Sequence, residues 1–238
     1  KPVSFNLQAG QTLAIIGANG SGKSTLARML SGVVEPTSGD IFIHGQPLNF
    51  GDYSYRCQRI RMIFQDPSTS LNPRQRIGQT LELPLKLNTD LTGIERERRI
   101  IQTLRQVGLL ADHAEYYPHM LASGQKQRIA LARALILQPE IIIADEALAS
   151  LDMSMRSQII NLMLDLQAKQ DIAFIYVTQH LGMMKHVSDK MLVMDKGEVV
   201  ERGNTAEVLA APLHDVTRRL IESHFGEPLS IDAWRQDL

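Results

Sequence analysis

Residues 12–24, TLAIIGANGSGKS, decide the fold of this chain. A short apolar run is followed by a glycine-rich segment, and residues 17–24 match the pattern G-x-x-x-x-G-K-[ST]. Beyond it, apolar residues recur at helical spacing until Gly32. The stretch therefore predicts a strand, a loop and a helix.

The loop is typical of a phosphate-binding site. Glycines let backbone N–H groups turn toward phosphate oxygens, and the N-terminus of the following helix adds positive potential. We expect Lys23 to reach β- and γ-phosphates and the Ser24 hydroxyl to coordinate Mg²⁺. The alternative is a glycine-rich turn without a ligand. The candidate nucleotide-binding residues here are Gly17, Ala18, Asn19, Gly20, Ser21, Gly22, Lys23, Ser24 and Thr25.

Two acidic residues end an apolar run at residues 141–146, IIIADE. A buried strand that carries carboxylates to its C-terminal end does so where α/β proteins bind ligands. We expect Asp145 to hold Mg²⁺, directly or through water. Strand alternation would place Glu146 on the opposite face, where it could orient or deprotonate an attacking water. The alternative is a helix-capping acid and its neighbour.

Two further polar residues follow predicted strands. Gln65 follows the strand at 61–64, and His180 comes shortly after the strand at 173–177. The carboxyl ends of parallel strands lie at one edge of a sheet, so both residues are expected beside a γ-phosphate and its water. Gln65 is also a candidate Mg²⁺ ligand. In isolation, each would be an ordinary hydrogen-bonded structural group.

Residues 121–125, LASGQ, precede a helix that ends before Pro139. We expect Ser123 or Gly124 to cap this helix, whose free N–H groups, including that of Gln125, would form a second anion site. This second anion site lies in a predicted helical insertion. The sequence therefore does not require it to contact the phosphate-binding loop of the same chain.

The fold predicted from these patterns is an α/β fold with a mostly parallel sheet covered on both faces, because short apolar strands alternate with helices. A strand pair is predicted at 40–44 and 61–64, and later strands at 141–144, 173–177 and 191–194. The predicted organisation is a core of residues 1–65 and 138–210, an inserted helical subdomain of residues 66–137, and a helical tail of residues 211–238.

Composition excludes several classes of protein. The 238 residues carry 25 basic and 26 acidic side chains, 25 − 26 = −1, which is unlike the basic field of a nucleic-acid-binding protein. The single cysteine, Cys57, cannot form an internal disulfide, which favours a reducing compartment. No apolar run approaches membrane-spanning length. Because the chain begins with Lys1 already inside a predicted strand, we expect upstream sequence to be missing.

Six motifs occur in a fixed order: GANGSGKST, FQDP, LASGQKQR, IIIADE, ASLD and TQH. They resemble the Walker A, Q-loop, signature, Walker B, D-loop and H-loop of ABC transporter ATPase subunits. QDPSTSLNPRQRIGQ, SLDMSMRSQIINLMLDLQ and PLHDVTRRLI are similar to the oligopeptide and dipeptide branch. The resemblance implies a P-loop NTPase (RecA-like) core, a small β subdomain and an inserted helical subdomain.

The resemblance also implies function and partners. It implies hydrolysis of ATP with Mg²⁺, with catalytic roles for Glu146, His180 and Gln65, and ATP held between one subunit's Walker A and the other's signature. The implied partners are a second ATPase subunit paired head to tail, two transmembrane permease subunits and, indirectly, a periplasmic binding protein, with no nucleic acid. The implied location is the cytoplasmic face of the bacterial inner membrane, and the implied cargo is peptide, in a system of the kind linked to antimicrobial peptide resistance.

Three departures from the family pattern stand out. Ala122 replaces the usual signature serine, and Ser123 replaces a glycine. Ala147 stands where proline is usual, which removes a fixed φ after Glu146. The aromatic residue that stacks on adenine would lie upstream of Lys1, so none is assigned. We therefore expect this subunit to keep a complete catalytic half but to donate a weakened signature to its partner, which gives a heterodimer with asymmetric sites.

Two other functions stay open at this stage. One is a soluble ABC-type ATPase acting on DNA or ribosomes, which would need a coiled-coil insertion, a second cassette or a basic surface. The other is a regulatory subunit that binds nucleotide without hydrolysing it. Glu146 and His180 count against the second.

Overall fold

The predicted strand, loop and helix at residues 12–32 open the fold. A computed structural model describes residues 3–64, 70–149 and 151–226 of the chain. Two short 3₁₀ helices span Ala111–Glu115 and Pro118–Met120. In chain order the other elements are β1 (Thr12–Ile16), α1 (Lys23–Ser31), β2 (Phe42–Ile43), β3 (Gln46–Pro47), α2 (Tyr53–Arg59), β4 (Ile60–Ile63), α3 (Ile77–Asn88), α4 (Gly93–Gln106), α5 (Ser123–Leu135), β5 (Ile141–Asp145), α6 (Met153–Gln170), β6 (Ala173–Thr178), α7 (Leu181–Val187), β7 (Lys190–Asp195), β8 (Glu198–Asn204), α8 (Thr205–Ala210) and α9 (Asp215–Phe225).

A six-stranded sheet has the order β4-β5-β6-β1-β7-β8. Every adjacent pair is parallel except β7 and β8, which are antiparallel. Ile16 pairs with Thr178, and Asp145 with Val177, so β1, β5 and β6 end at the same edge. The expected mostly parallel sheet is confirmed, and its carboxyl edge gathers the candidate site residues.

Alternation along β1 divides the core into two apolar layers. Ala14 and Ile16 face the layer packed by α5, α6 and α7, whereas Leu13 and Ile15 face the layer that includes α1. All four side chains are at most 2% exposed. A central strand covered on both faces needs no polar alternation, which explains why its sequence is a continuous apolar run.

One pairing prediction was wrong. β2 pairs with β3 in a separate two-stranded sheet, while β4 joins the edge of the large sheet beside β5. The turn residues His44 and Gly45 both have positive φ, and they fold residues 42–47 back on themselves. The local turn therefore decides the partner of β2.

Helices dominate the described part of residues 70–137. α4 begins with a capping box, in which Thr92 Oγ1 accepts from Glu95 N–H and Glu95 accepts from Thr92 N–H. The apolar layer under α3, α4 and α5 is continuous with the layer beneath α6. The division into core, insertion and tail stays a prediction.

The end of the described chain is helical, as expected from its texture, because α9 extends to Phe225. Within residues 3–64, 70–149 and 151–226, no helix combines the length and apolar character that crossing a membrane requires.

Candidate functional site

The loop between β1 and α1 has a backbone that glycine permits. Gly20 and Gly22 have φ values of +79° and +100°. A Cβ on Gly17 would lie 2.3 Å from the Met194 carbonyl oxygen and 2.7 Å from Ser21 Oγ. The pattern therefore selects glycine for left-handed backbone at two positions and for close approach to β7 at a third.

Lys23 lies at the start of α1 with its side chain turned back over the loop. Its Nζ donates to the carbonyl oxygens of Gly17 at 2.8 Å and Ala18 at 2.9 Å. Burial lowers the pKa of the ammonium, and the charges of Glu146 and Asp145 act in the opposite direction. Contact between Lys23 and a phosphate would exchange these two backbone bonds for bonds to the ligand.

Ser24 and Asp145 join the loop to the end of β5. Ser24 Oγ donates to Asp145 Oδ1 at 2.9 Å, across 121 residues of sequence. A hydroxyl beside a carboxylate, next to a phosphate-binding loop, is an oxygen donor set that suits Mg²⁺. Ser21 Oγ in the same loop is buried and has no hydrogen-bond partner in the described structure. The residues present therefore fit a magnesium-bound triphosphate.

Glu146 turns away from the strand at once. Its φ of +48° is left-handed, so the prediction that it continues the alternation of β5 was wrong. Glu146 N–H donates to the Val177 carbonyl at 2.9 Å, and its Oε1 accepts from Gln179 N–H at 3.2 Å. These two bonds hold the carboxylate beside the end of β6, next to Asp145.

His180 is the N-cap residue of α7 and lies two residues after the end of β6. Its N–H donates to Thr178 Oγ1 at 3.1 Å, and its ring lies 6.3 Å from the ring of His224 of α9. His180 is thus at the expected edge of the sheet. Gln65, the other residue expected there, lies outside the described residues.

The second predicted anion site lies at the start of α5. The capping prediction was wrong, because α5 begins at Ser123 and Ala122 is its N-cap. Ala122 has no side-chain acceptor, but Gln125 Oε1 accepts from Ala122 N–H at 2.9 Å. The first intrahelical bond, Lys126 N–H to Ala122 O, leaves the N–H groups of Ser123, Gly124 and Gln125 ahead of it.

Side chains from other elements surround this helix start. A Cβ on Gly124 would lie 1.5 Å from Met155 Cε of α6, so the methionine packs directly on this glycine. The side-chain nitrogen of Gln125, Nε2, contacts His113 Nε2 at 3.1 Å. Met155 and His113 therefore line the start of α5 beside Gly124 and Gln125.

Two residues that contact the turn after Glu146 were not predicted from the sequence. Gln127 Nε2 of α5 donates to the Ala147 carbonyl at 2.8 Å. Arg156 of α6 donates to the carbonyls of Leu148 at 3.2 Å and Leu151 at 3.0 Å. The available signal was a glutamine on the buried stripe of α5, which also contains Ala130, Leu131 and Ala134.

Comparison with known proteins identifies the family. The family described as ABC transporter matches residues 1–149. The "Putrescine export system ATP-binding protein SapF" of Escherichia coli K12 is 72% identical over 237 residues, covering 100% of this chain and 88% of that protein. The "Peptide transport system ATP-binding protein SapF" of Shigella flexneri matches equally well, at 72% over 237 residues and the same coverage. "Dipeptide transport ATP-binding protein DppF" of Escherichia coli K12 is 42% identical over 93% of this chain and 67% of that protein.

Solved structures agree. CbiO1 of Clostridium perfringens, part of the ABC transporter complex cbiONQ, superposes with a TM-score of 0.79 at 29% identity, covering 95% of this chain and 88% of that one. The dimeric ATP-binding cassette MJ0796, in a post-hydrolysis state bound to ADP and Pi, gives 0.75 at 28% identity, covering 86% and 90%. The chain belongs to the ABC transporter family, as one of its ATP-binding subunits that hydrolyse ATP.

Proposed function

We propose that the chain binds Mg²⁺-ATP on residues 17–25 and hydrolyses it with Glu146, to drive transport through membrane subunits. The observation that carries this proposal is the 2.9 Å contact between Ser24 Oγ and Asp145 Oδ1. It joins the phosphate-binding loop to the acid-bearing strand end, so the groups needed for binding and hydrolysis lie at one edge of the sheet.

The residues of this chain divide the work of hydrolysis. The loop N–H groups and Ser21 Oγ bond phosphate oxygens, and Lys23 moves from the carbonyls of Gly17 and Ala18 to the β- and γ-phosphates. Ser24 and Asp145 would hold Mg²⁺. When bound, the ion neutralises phosphate charge and orients the triphosphate.

Glu146 orients the attacking water and removes its proton. Its Oε1 accepts only the 3.2 Å bond from Gln179 N–H among the hydrogen bonds of the described residues, so the carboxylate keeps acceptor capacity for a water. His180, on the following turn, faces the γ-phosphate. Gln65 is proposed to complete this set as a ligand of Mg²⁺ and a neighbour of the attacking water.

The start of α5 serves a second nucleotide. We propose that the N–H groups of Ser123, Gly124 and Gln125 face ATP held by another ATPase subunit, paired head to tail with this chain. A helix N-terminus with free N–H groups is a site for anions. The known dimer of the cassette MJ0796 supports such a pairing. Because Ala122 has no hydroxyl, the half-site that this chain offers to the partner's ATP is the weaker of the two half-sites at that nucleotide.

The partners, location and cargo are proposals from the relatives. We propose two permease subunits, an indirect periplasmic binding protein and a position on the cytoplasmic face of the bacterial inner membrane. Relatives named for peptide and dipeptide transport favour a peptide cargo. We propose that the transport system is of the kind linked to antimicrobial peptide resistance. Putrescine is the second candidate, because an equally similar relative carries that name. Uptake or export of labelled peptide and putrescine by vesicles containing the assembled complex separates the two.

Glu146→Gln tests the hydrolytic role. The test uses a complex whose other ATPase subunit already carries the equivalent glutamate-to-glutamine change. Relative to the same complex with Glu146 intact, ATP turnover should fall by about 100-fold or more, since general-base catalysis contributes 10²–10⁴-fold. Binding of Mg²⁺-ATP should persist. Glu97→Gln, the same change on the exposed surface of α4, is the matched control. Unchanged turnover in Glu146→Gln would show that this site does not hydrolyse ATP.

A further inference from the structure

A side chain of α5 contacts the turn that follows the catalytic glutamate. Gln127 is 2% exposed, and its Nε2 donates to the carbonyl of Ala147 at 2.8 Å. Ala147 is the next residue after Glu146, and the contact spans 20 positions of sequence. α5 is also the helix whose first turn contains Ser123, Gly124 and Gln125.

Stability alone does not account for a glutamine at this place. Gln127 Oε1 is buried and has no hydrogen-bond partner among the described residues. A buried polar group without a partner opposes folding, and an apolar side chain of similar shape would avoid that cost. The other buried residues on this stripe, Ala130, Leu131 and Ala134, are apolar. The side-chain amide of Gln127 is therefore explained by the hydrogen bond that its Nε2 donates to Ala147.

The turn needs external support. Glu146 has a φ of +48°, which is unfavourable for a residue with a side chain and persists only where surrounding contacts impose it. Ala147 has no ring to fix its own φ. On the far side of the turn, Arg156 donates to the carbonyls of Leu148 and Leu151. At the start of the turn, Glu146 N–H donates to the Val177 carbonyl. The Ala147 carbonyl lies in sequence between this bond and the bonds from Arg156, and it accepts from Gln127 Nε2.

We propose that Gln127 is a positioning residue for Glu146. By fixing the Ala147 carbonyl, it sets the orientation of the turn and thereby the direction of the Glu146 carboxylate toward the attacking water. The same side chain makes α5 a mechanical link between the half-site offered to the partner subunit and the catalytic half-site kept by this chain. This inference rests on the proposed role of Glu146.

Gln127→Met removes the donated bond and retains the volume of the side chain. In the complex used for Glu146→Gln, kcat should fall by roughly ten- to one-hundred-fold, because small misplacement of a catalytic group has effects of this size. The KM for ATP should stay within about two-fold, because Gln127 makes no hydrogen bond to residues 17–25 in the described part of the chain. The melting temperature should change little, because removal of the unpaired Oε1 offsets the loss of the donor to the buried Ala147 carbonyl.

Gln167→Met is the matched control. Gln167 of α6 also donates its Nε2 to other groups, Thr12 Oγ1 at 2.9 Å and the Ile172 carbonyl at 3.3 Å, but these lie at the amino ends of β1 and β6. This variant should keep the kcat of the unmodified complex. A shared loss of kcat in both variants would point to general disturbance and would overturn the inference.

The remaining outcomes separate this inference from the function on which it rests. If Gln127→Met keeps full kcat while Glu146→Gln abolishes turnover, the positioning role is wrong and the hydrolytic role stands. If Gln127→Met lowers kcat only together with the melting temperature, Gln127 is a structural residue and the inference fails. If Glu146→Gln itself has no effect, the proposed function fails first.

Discussion

Gly17→Ala tests whether the close approach of the loop to β7 is required for nucleotide binding. The added Cβ would lie 2.3 Å from the Met194 carbonyl oxygen, and Cβ atoms essentially never come within 3.0 Å of a heavy atom beyond the neighbouring residues of the chain. The loop must therefore move by at least 3.0 − 2.3 = 0.7 Å. Met194 is part of β7, which is hydrogen-bonded to strands on both sides, so the displacement falls on the loop.

A shift of this size is large compared with the range of a hydrogen bond. A bond of about 2.9 Å stretched by the same amount reaches about 3.6 Å, where it no longer counts as a hydrogen bond. Bonds to charged groups contribute about 1.5–3 kcal/mol, so the loss of one bond to phosphate should raise the Kd for Mg²⁺-ATP by roughly ten- to one-hundred-fold. Overpacking should lower the free energy of unfolding by about 1–3 kcal/mol, a fall in Tm of roughly 2–12 °C.

Calorimetric titration with Mg²⁺-ATP and thermal unfolding measure the two effects. Gly45→Ala is the matched control, because its φ of +75° imposes backbone strain while its Cβ would meet nothing within 4 Å. It should lose stability and keep the Kd. A folded Gly17→Ala protein that binds nucleotide with the Kd of the unmodified chain would refute the argument from close approach.

Two further predictions concern α5 and α3. Ala122→Ser adds a capping hydroxyl, which should stabilise the chain by about 1 kcal/mol in urea unfolding and raise hydrolysis at the partner's site; unchanged turnover would contradict a weakened signature. A hydrogen bond from Lys86, with another from Arg96, lowers the pKa of Glu82, so the stability it supplies is present above the unfolded-state pKa and lost as pH falls through the folded-state pKa. Glu82→Gln should therefore cost up to about 0.5–1 kcal/mol at pH 7 and progressively less as the pH falls through the folded-state pKa, whereas a pH-independent cost would exclude the ion pairs as the cause.

The elements with strong periodicity were predictable from sequence. β1, α1 and β5 lie within a residue or two of their predicted bounds, because a doubly covered sheet demands continuous apolar strands and the glycine loop marks the junction. β8 was not foreseen. Its residues alternate poorly between buried and exposed, since it is an antiparallel edge strand, and so it gives neither of the usual strand patterns.

The site was only partly predictable for a related reason. Short-range spacing predicted site residues 17–24, Asp145 and His180, which the structure brings to one edge of the sheet, but it gave no indication of the contacts that depend on tertiary packing. The left-handed backbone at Glu146 and the support from Gln127 depend on how α5 lies over the end of β5. α5 also begins after a residue without a side-chain acceptor: Gln125 Oε1 accepts the N–H of Ala122, and no side chain at the N-cap bonds the N–H groups of the first helical turn.

The charges at the site argue for magnesium-bound rather than free nucleotide. Lys23, Asp145 and Glu146 interact closely enough that both acids affect the lysine, and their formal charges sum to +1 − 1 − 1 = −1. A free triphosphate would meet this surplus negative charge, and one uncompensated pair at about 4–8 Å costs roughly 2–4 kcal/mol at an effective dielectric constant of about 20. ATP in EDTA should therefore bind at least about ten-fold more weakly than Mg²⁺-ATP.

Asp145→Asn removes one of these negative charges and one proposed Mg²⁺ ligand. It should consequently narrow the difference between the two nucleotide forms, because free ATP would gain affinity while Mg²⁺-ATP would lose it. Retention of the full magnesium dependence in Asp145→Asn would mean that the ion is held by other groups, and the pairing of Ser24 with Asp145 would then be a structural contact rather than a metal site.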